Sequence, residues 1–527
     1  MAKGYLPVDR DQAFLLPPDM RAWLPASHPV WLVIEATARL DTSAFHARRR
    51  TGGAGAAGYD PDMLVTLLIW AYANGVTSSR RIERLCQQDV AFRVVCAGRA
   101  PDHVTVARFR QQFADTAAGL FAQVLLLCAR LGMGRVGVVA LDGTKVGADA
   151  SKDANRTEEG LRKLAAEMAG RHAAADAGED ALFGKGNRGD DDPGDPFTRS
   201  ERVNAALAAL EAERAAREAA EREAADGALA AARAGAPASG NPPAAAEVAL
   251  AELKVAREIA AYQAKVRERE RAAAAGRRRR GPPPVPAEDY VRVRQAREKL
   301  ERARERAAAR TAKRAEKDKK EPARRNVTDP GSRLMPVRGG GFVQGYNAQN
   351  VTSEDGLVIA TRLTADTGDT RWYKDMIADA AAAAAAMAAA GGPGTGEIGL
   401  VLADAGYLSG ENLAAPGPDR LIAVGTRRDL EKTARDGTPA GGRADPAIAA
   451  MAARLATADG IAAYRRRGHI GETFHGDLKH NQRIRRLSVR GLRKASGEWT
   501  FTAAVRNLRK AITSGHLTTG SLAALAG

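Results

Sequence analysis

Apolar positions recur at helical spacing through the first 130 residues. In YDPDMLVTLLIWAYANG (59–75), Leu64, Leu67, Leu68 and Tyr72 fall near one helical face after the turn-like Asp60-Pro61. SSRRIERLCQQDVAFRVV predicts two short helices, the first capped by Ser78 or Ser79, and DHVTVARFRQQFAD predicts another after Pro101. The pattern changes at RVGVVALD (135–142), a β-branched run ending in aspartate that reads as a buried strand. From 153 to 325 the chain turns to Ala, Glu and Arg, nearly without aromatics, as in RVNAALAALEAERAAREAAEREAA (202–225). These are strong helix formers, and Gly/Pro-rich stretches at 183–197, 234–246 and 276–286 break them into long exposed helices, read as an antiparallel coiled-coil-like arm. Beyond 326 a globular pattern returns. Two or three strands are expected in 341–365, turning at Glu354-Asp355-Gly356, then a helix over 370–390 stopping at Gly391-Gly392. Strands at 397–404 and 420–426, a basic helix near 470–482 and a last helix near 502–513 complete an α/β pattern with one large excursion.

Charge narrows the class of partner. The 527 residues carry a formal charge of +17, which favours a polyanion, either nucleic acid or an anionic membrane surface. No uninterrupted apolar run of about 20 residues predicts a membrane span, and the first residues lack the apolar centre of a signal peptide. A cytoplasmic protein acting on nucleic acid, with no membrane partner, is therefore expected. Cys86, Cys96 and Cys128 are scattered, without a CxxC, and read as reduced core residues. Short helices bearing Arg80, Arg81, Arg108 and Arg110 suit a DNA-binding module, against the plainer reading of a helical bundle with solvated arginines. The run Arg277–Arg280 reads equally as a phosphate grip or a solvated linker.

Candidate chemistry rests on carboxylates. Asp142 and Asp404 each end a predicted strand, where α/β sheets bind ligands, and Glu472 lies on the predicted basic helix. Two aspartates and a glutamate could hold two divalent cations, which suits displacement at phosphorus. From Tyr464 to Lys510 there are 13 Lys/Arg against three acids, so Glu472 fits a metal ligand beside a DNA backbone. Lys479, seven residues on, shares its face, and Arg465 lies seven the other way. Asp149, beyond the first strand, and Asp369, read as a helix cap, rank lower. Asn347 and Gln349, in GYNAQ on a predicted strand, are candidates for lining the site, against the favoured reading of ordinary strand or turn residues. His469, His475 and His480 lack an HExxH spacing and read as DNA-facing or solvated.

These residues lie in blocks that closely resemble the DDE transposases of bacterial insertion sequences. The blocks, in family order, are YDPDMLVTLLIWAYANGVTSSRRIE, PDHVTVARFR, LDGTKVGADAS, TDPGSRLM with GFVQGYNAQ, LADAGY, and GETFHGDLK followed by RGL, EW and RNL. The resemblance implies an α/β, ribonuclease-H-like catalytic domain, with Asp142 on its first strand, Asp404 after its fourth and Glu472 in the following helical region. It divides the chain into a helical DNA-binding domain (1–130), a first catalytic part (131–152), a helical low-complexity insertion (153–325) and a second catalytic part (326–515). It implies Mg²⁺, with Mn²⁺ as the alternative, held by Asp142, Asp404 and Glu472. Its expected partners are double-stranded DNA, both terminal inverted repeats and target, and a second copy of the chain in a homodimer. It also implies a nucleoid-associated location. The expected DNA contacts are Lys479, Arg467, Arg465, Arg108 and Arg110. The family signature near the glutamate resembles Tyr, two residues, Arg, three residues, Glu, six residues, Lys. Here Tyr464, Arg467, Glu472 and Lys479 follow it except that four residues separate Arg467 from Glu472. The weighed alternatives are a catalytically inactive, transposase-derived DNA-binding protein and a coiled-coil scaffold binding RNA or DNA through basic linkers.

Overall fold

The computed structural model describes residues 19–47, 58–169, 199–234, 244–276, 283–337, 340–426, scattered positions in 427–444, and 445–525. Arg277–Arg280 and most of the Gly/Pro-rich stretches lie outside the described residues. Two compact units are present, one comprising 1–154 with 331–527 and the other 155–330.

The first unit is built on a mixed sheet. Its strands are β1 (Val138–Gly147), β4 (Arg333–Pro336), β5 (Phe342–Ser353), β6 (Val358–Thr364), β7 (Leu400–Ala403) and β8 (Asp419–Ile422); β2 and β3 belong to the second unit. β5 runs antiparallel to β1, and β4 and β6 pair antiparallel with β5. On the other side of β1, β7 and then β8 run parallel to it. The β5–β6 hairpin turns at Gly356, whose φ of 85° suits glycine. Side chains alternate as a pleated sheet requires. Val139, Leu141, Val401 and Ala403 join the main core, while Val138, Ala140, Leu402 and Leu421 pack with Met451, Leu455 and Ile470. Gly345 marks the closest approach of β5 to β1: a Cβ there would stand 2.2 Å from the Val146 carbonyl oxygen. Gly345→Ala is expected to cost about 1–3 kcal/mol through overpacking, read as a lowered midpoint in equilibrium unfolding.

The N-terminal helices pack into the same core. Asp60 and Asp102 accept from backbone N–H groups at the starts of Pro61–Ala73 and His103–Arg110, and Ser78 caps Ser79–Gln88. Phe113–Arg130 is, among the described residues, the one helix long and apolar enough to cross a membrane, and half of it is buried in the protein. It lies against the long C-terminal helix Leu492–Thr513, with Phe113 and Phe501 stacked at 4.1 Å. Gly497 permits that crossing, since a Cβ there would stand 2.4 Å from the Phe113 backbone. Burying such rings stabilises by about 1.5–3 kcal/mol each. The three cysteines are free and buried.

The second unit is helical. Arg199–Arg233, Ala244–Ala274 and Val291–Lys320 are its long elements. The last two form an antiparallel pair: Tyr262 stacks on Tyr290 at 4.3 Å, Glu252 meets Arg304, and Glu247 meets Arg306 and Arg310. Leu161, Val203, Ala206 and Leu210 supply a small core. β2 (Asn155–Thr157) and β3 (Arg324–Asn326) form a short antiparallel ladder where the chain enters and leaves this unit.

Candidate active site

Strand register brings the two aspartates together. The parallel ladder ends with Leu141 opposite Ala403, so Asp142 and Asp404 are the next residues on adjacent strands. Asp142 does not end its strand, contrary to expectation: β1 continues to Gly147 because β5 pairs with it throughout. Its carboxylate, on a residue only 7% exposed, accepts from Gly143 N at 3.1 Å. Asp404 lies just past β7 and accepts from Gly406 N at 2.9 Å, capping the short turn Ala405–Tyr407.

Glu472 reaches the same place on a helical stretch spanning 458–481, which passes over Ala140 and Asp142 at Gly471. The Gly471 Cβ position lies 3.4 Å from Ala140 Cβ and 3.5 Å from Asp142 Cβ. Arg467 joins the acids: its guanidinium lies 3.5 Å from Asp142 Oδ1 and 3.5 Å from Glu472 Oε1. Burial works against the charge of Arg467, but Tyr464, Asp142, Asp404 and Glu472 more than offset it and raise its pKa. Tyr464 donates to Ala403 O at 3.1 Å, fixing the helix to the strand that carries Asp404. Burial pushes the Tyr464 hydroxyl up to about 12.

The extra residue between Arg467 and Glu472 has a structural answer. Gly468–Glu472 is a π-helical turn, in which residues five apart, not four, stand one above the other. The wider turn restores the alignment of Arg467 with Glu472 that a four-residue step gives in an α-helix. Asp477–Asn481 forms a second π-turn, and Lys479 on it donates to Thr144 Oγ1 and, at 3.1 Å, to Lys145 O. Burial lowers the Lys479 pKa, with Asp142 working against that shift. Beyond Lys479 the chain is tied to the end of β1 by Gly147 N to Arg485 O at 3.0 Å and Leu487 N to Gly147 O at 2.8 Å.

Other expected residues fall differently. Arg465 and Arg108 are exposed. Arg110 is a correction: only 5% exposed, it donates to Tyr72 Oη at 3.3 Å and to Thr77 O, and lies 4.0 Å from Glu498, so its charge faces the core and not a DNA backbone. His475 is not solvated; its side chain is 11% exposed and lies 3.6 Å from Asp142 Oδ2. Asp149 pairs with Arg486 and Arg490. Asp369 makes no side-chain capping bond and accepts instead from Asn347 and Gln349, both on β5. Nothing in local sequence periodicity marks those two amides, which owe their place to the pairing of β5 with β1.

The donors here are carboxylate oxygens, which suit a hard divalent cation such as Mg²⁺. Asp142 and Glu472 are spanned by Arg467 and do not form a closed cage. Among the described residues, the one group of three or more potential ligands whose atoms all lie within 4.8 Å is the exposed set His46, Asp60 and Asp62.

Residues 18–112 match the family described as a transposase domain (DUF772), and residues 441–512 match the transposase DDE domain. Two segments of the chain thus match domains of DDE-type transposases. The matched DDE segment includes Tyr464, Arg467, Glu472 and Lys479 but neither Asp142 nor Asp404. No curated protein and no solved structure matches the chain. DDE transposases as a class use divalent metals and act on DNA, which agrees with the oxygen-rich donor set.

Proposed function

We propose that the chain catalyses metal-dependent DNA strand cleavage and strand transfer at the ends of an insertion sequence. Asp142, Asp404 and Glu472 are its cation-holding carboxylates. The observation that carries this reading is the convergence on Arg467: one guanidinium lies 3.5 Å from both Asp142 and Glu472, and the register sets Asp404 beside Asp142. The strand order β6-β5-β1-β7-β8, antiparallel and then parallel about β1, supports a ribonuclease-H-like domain interrupted after its first strand.

Each residue has a distinct task in this reading. Asp142, on a strand paired along both edges, and Asp404, fixed by Gly406 N–H, present oxygens from rigid positions. Glu472, its side chain 59% exposed, completes the set from the helix. Arg467 tempers repulsion among the acids. Bound Mg²⁺, or Mn²⁺ in its place, would activate the attacking oxygen and stabilise the leaving one. Lys479, Arg465, Arg467 and Arg108 supply positive charge for the DNA backbone. The N-terminal helices serve end recognition, the helical insertion serves to clamp DNA or assemble copies, and bringing two ends together favours a homodimer on nucleoid DNA.

The test is incubation of the full-length protein with duplex DNA carrying the inverted repeats that flank its gene. Mg²⁺-dependent nicking at the repeat ends, absent with a scrambled repeat, is the expected result. Binding without nicking would mark a catalytically inactive derivative and overturn the proposal.

A further inference from the structure

We propose that Asp369 is a fourth carboxylate of the catalytic pocket, supplying a further oxygen ligand for a divalent cation on the Asp404 side. The inference rests on the reading of Asp142, Asp404 and Glu472 as a cation-holding set, and adds a residue to it.

Asp369 stands just before the short turn Thr370–Trp372, at a position where aspartate ordinarily caps a helix, yet it makes no capping bond. Its Oδ1 accepts from Asn347 Nδ2 and Gln349 Nε2, each at 2.6 Å, and lies 3.5 Å from Lys145 Nζ. Asn347 and Gln349 are fully buried on β5, and Lys145 is on β1. The carboxylate is thus held by strands, although its own backbone is in a loop. Ligating carboxylates are usually held in this way by hydrogen bonds from a surrounding shell.

The other oxygen shares the space over Gly406 with Asp404. Asp369 Oδ2 lies 3.1 Å, and Asp404 Oδ1 3.0 Å, from the point where a Cβ on Gly406 would stand. A Cβ on Gly143, next to Asp142, would stand 3.0 Å from Asp369 Oδ1. Glycine stands at both positions, one next to Asp142 and one two residues past Asp404, and the Asp369 carboxylate fills the space a side chain would take at each. Tyr407 registers the same grouping: burial first, and then Asp369, Asp142 and Asp404 together, push its hydroxyl well above its ordinary pKa. Its hydroxyl donates to Gln349 Oε1, tying the loop after Asp404 to the amide that holds Asp369. A purely structural pairing with Lys145 accounts for Oδ1 and gives no reason for Oδ2 to share the Gly406 space with Asp404.

The experiment uses full-length, metal-free protein without DNA and Mn²⁺ as the probe, with bound ion counted by the loss of the free-ion paramagnetic resonance signal. Asp369→Asn is expected to weaken Mn²⁺ binding about tenfold or more, with the thermal midpoint in metal-free buffer unchanged. Asp149→Asn, at an acid paired with Arg486 and Arg490, is expected to bind Mn²⁺ as the parent does. Parent-like binding by Asp369→Asn alongside loss in Asp142→Asn would overturn the role of Asp369 and leave the three-carboxylate reading standing. Absence of saturable Mn²⁺ binding in the parent protein would overturn both. If Asp369→Asn lowers the midpoint, Mn²⁺ binding is compared at a temperature well below both midpoints, where variant and parent are folded. Weakened Mn²⁺ binding by the variant there supports the proposal, and unchanged binding overturns it.

Discussion

Asp142→Asn is expected to lower DNA cleavage by about 10³-fold or more, equivalent to roughly 4 kcal/mol of transition-state stabilisation, and Asp404→Asn and Glu472→Gln to do the same. These exchanges keep shape and remove charge, so they separate chemistry from folding. Asp142 is the most demanding of the three positions. It is nearly buried and is approached by Arg467 at 3.5 Å and His475 at 3.6 Å, so its loss leaves two basic groups without their shared carboxylate. Glu472, more exposed, is expected to fold normally with either side chain. DNA affinity should change by no more than about twofold in all three, because phosphate contacts by Lys and Arg dominate binding. Strand cleavage followed on a labelled duplex, with binding measured in parallel, checks this. Near-parent cleavage by any one variant removes that residue from the catalytic set.

The largest effect on stability is expected at Glu498. This buried glutamate accepts from Tyr72 Oη at 2.6 Å, Ser488 N at 2.8 Å, Val489 N at 3.2 Å and the Ser488 hydroxyl, with Arg110 4.0 Å away. It therefore fastens the helix Leu492–Thr513 to two N-terminal helices and to the segment that follows the helical stretch bearing Glu472. Burial and the nearby Glu498 carboxylate both raise the Tyr72 pKa. Glu498→Ala leaves a buried guanidinium without its counter-charge and several donors without their acceptor, a loss worth about 3–5 kcal/mol, against a typical total stability of about 5–15 kcal/mol. A fall in the urea midpoint at constant slope is the measurement, and a change below about 1 kcal/mol would count against the assignment.

The residues proposed as catalytic differ in how far sequence reveals them. Asp404 was legible because an apolar run stops at it and a turn follows. Asp142 was legible as a residue but not in its setting: Gly143-Thr144-Lys145 looks like a loop, and only the long pairing with β5 keeps it a strand. Glu472 could be found from its basic surroundings, whereas its alignment with Arg467 depends on a π-turn that no hydrophobic period announces. Arg110 looked like a surface cation because its acidic partner lies hundreds of residues away. Asp369 resembled a helix cap because capping is a local rule, and the two amides that claim it come from another strand. The helical character of the insertion was plain from composition, since Ala, Glu and Arg favour helix wherever they occur.

The short ladder Asn155–Thr157 with Arg324–Asn326 has a consequence for how such a chain varies. Departing and returning strands are clasped at the root of the excursion, so the residues between them need satisfy only their own packing. Because closing a longer loop costs only about 0.6 kcal/mol per doubling of length, growth or shrinkage of that arm makes little demand on the sheet. Whole helices gained or lost there are expected to leave the register that sets Asp404 beside Asp142 untouched.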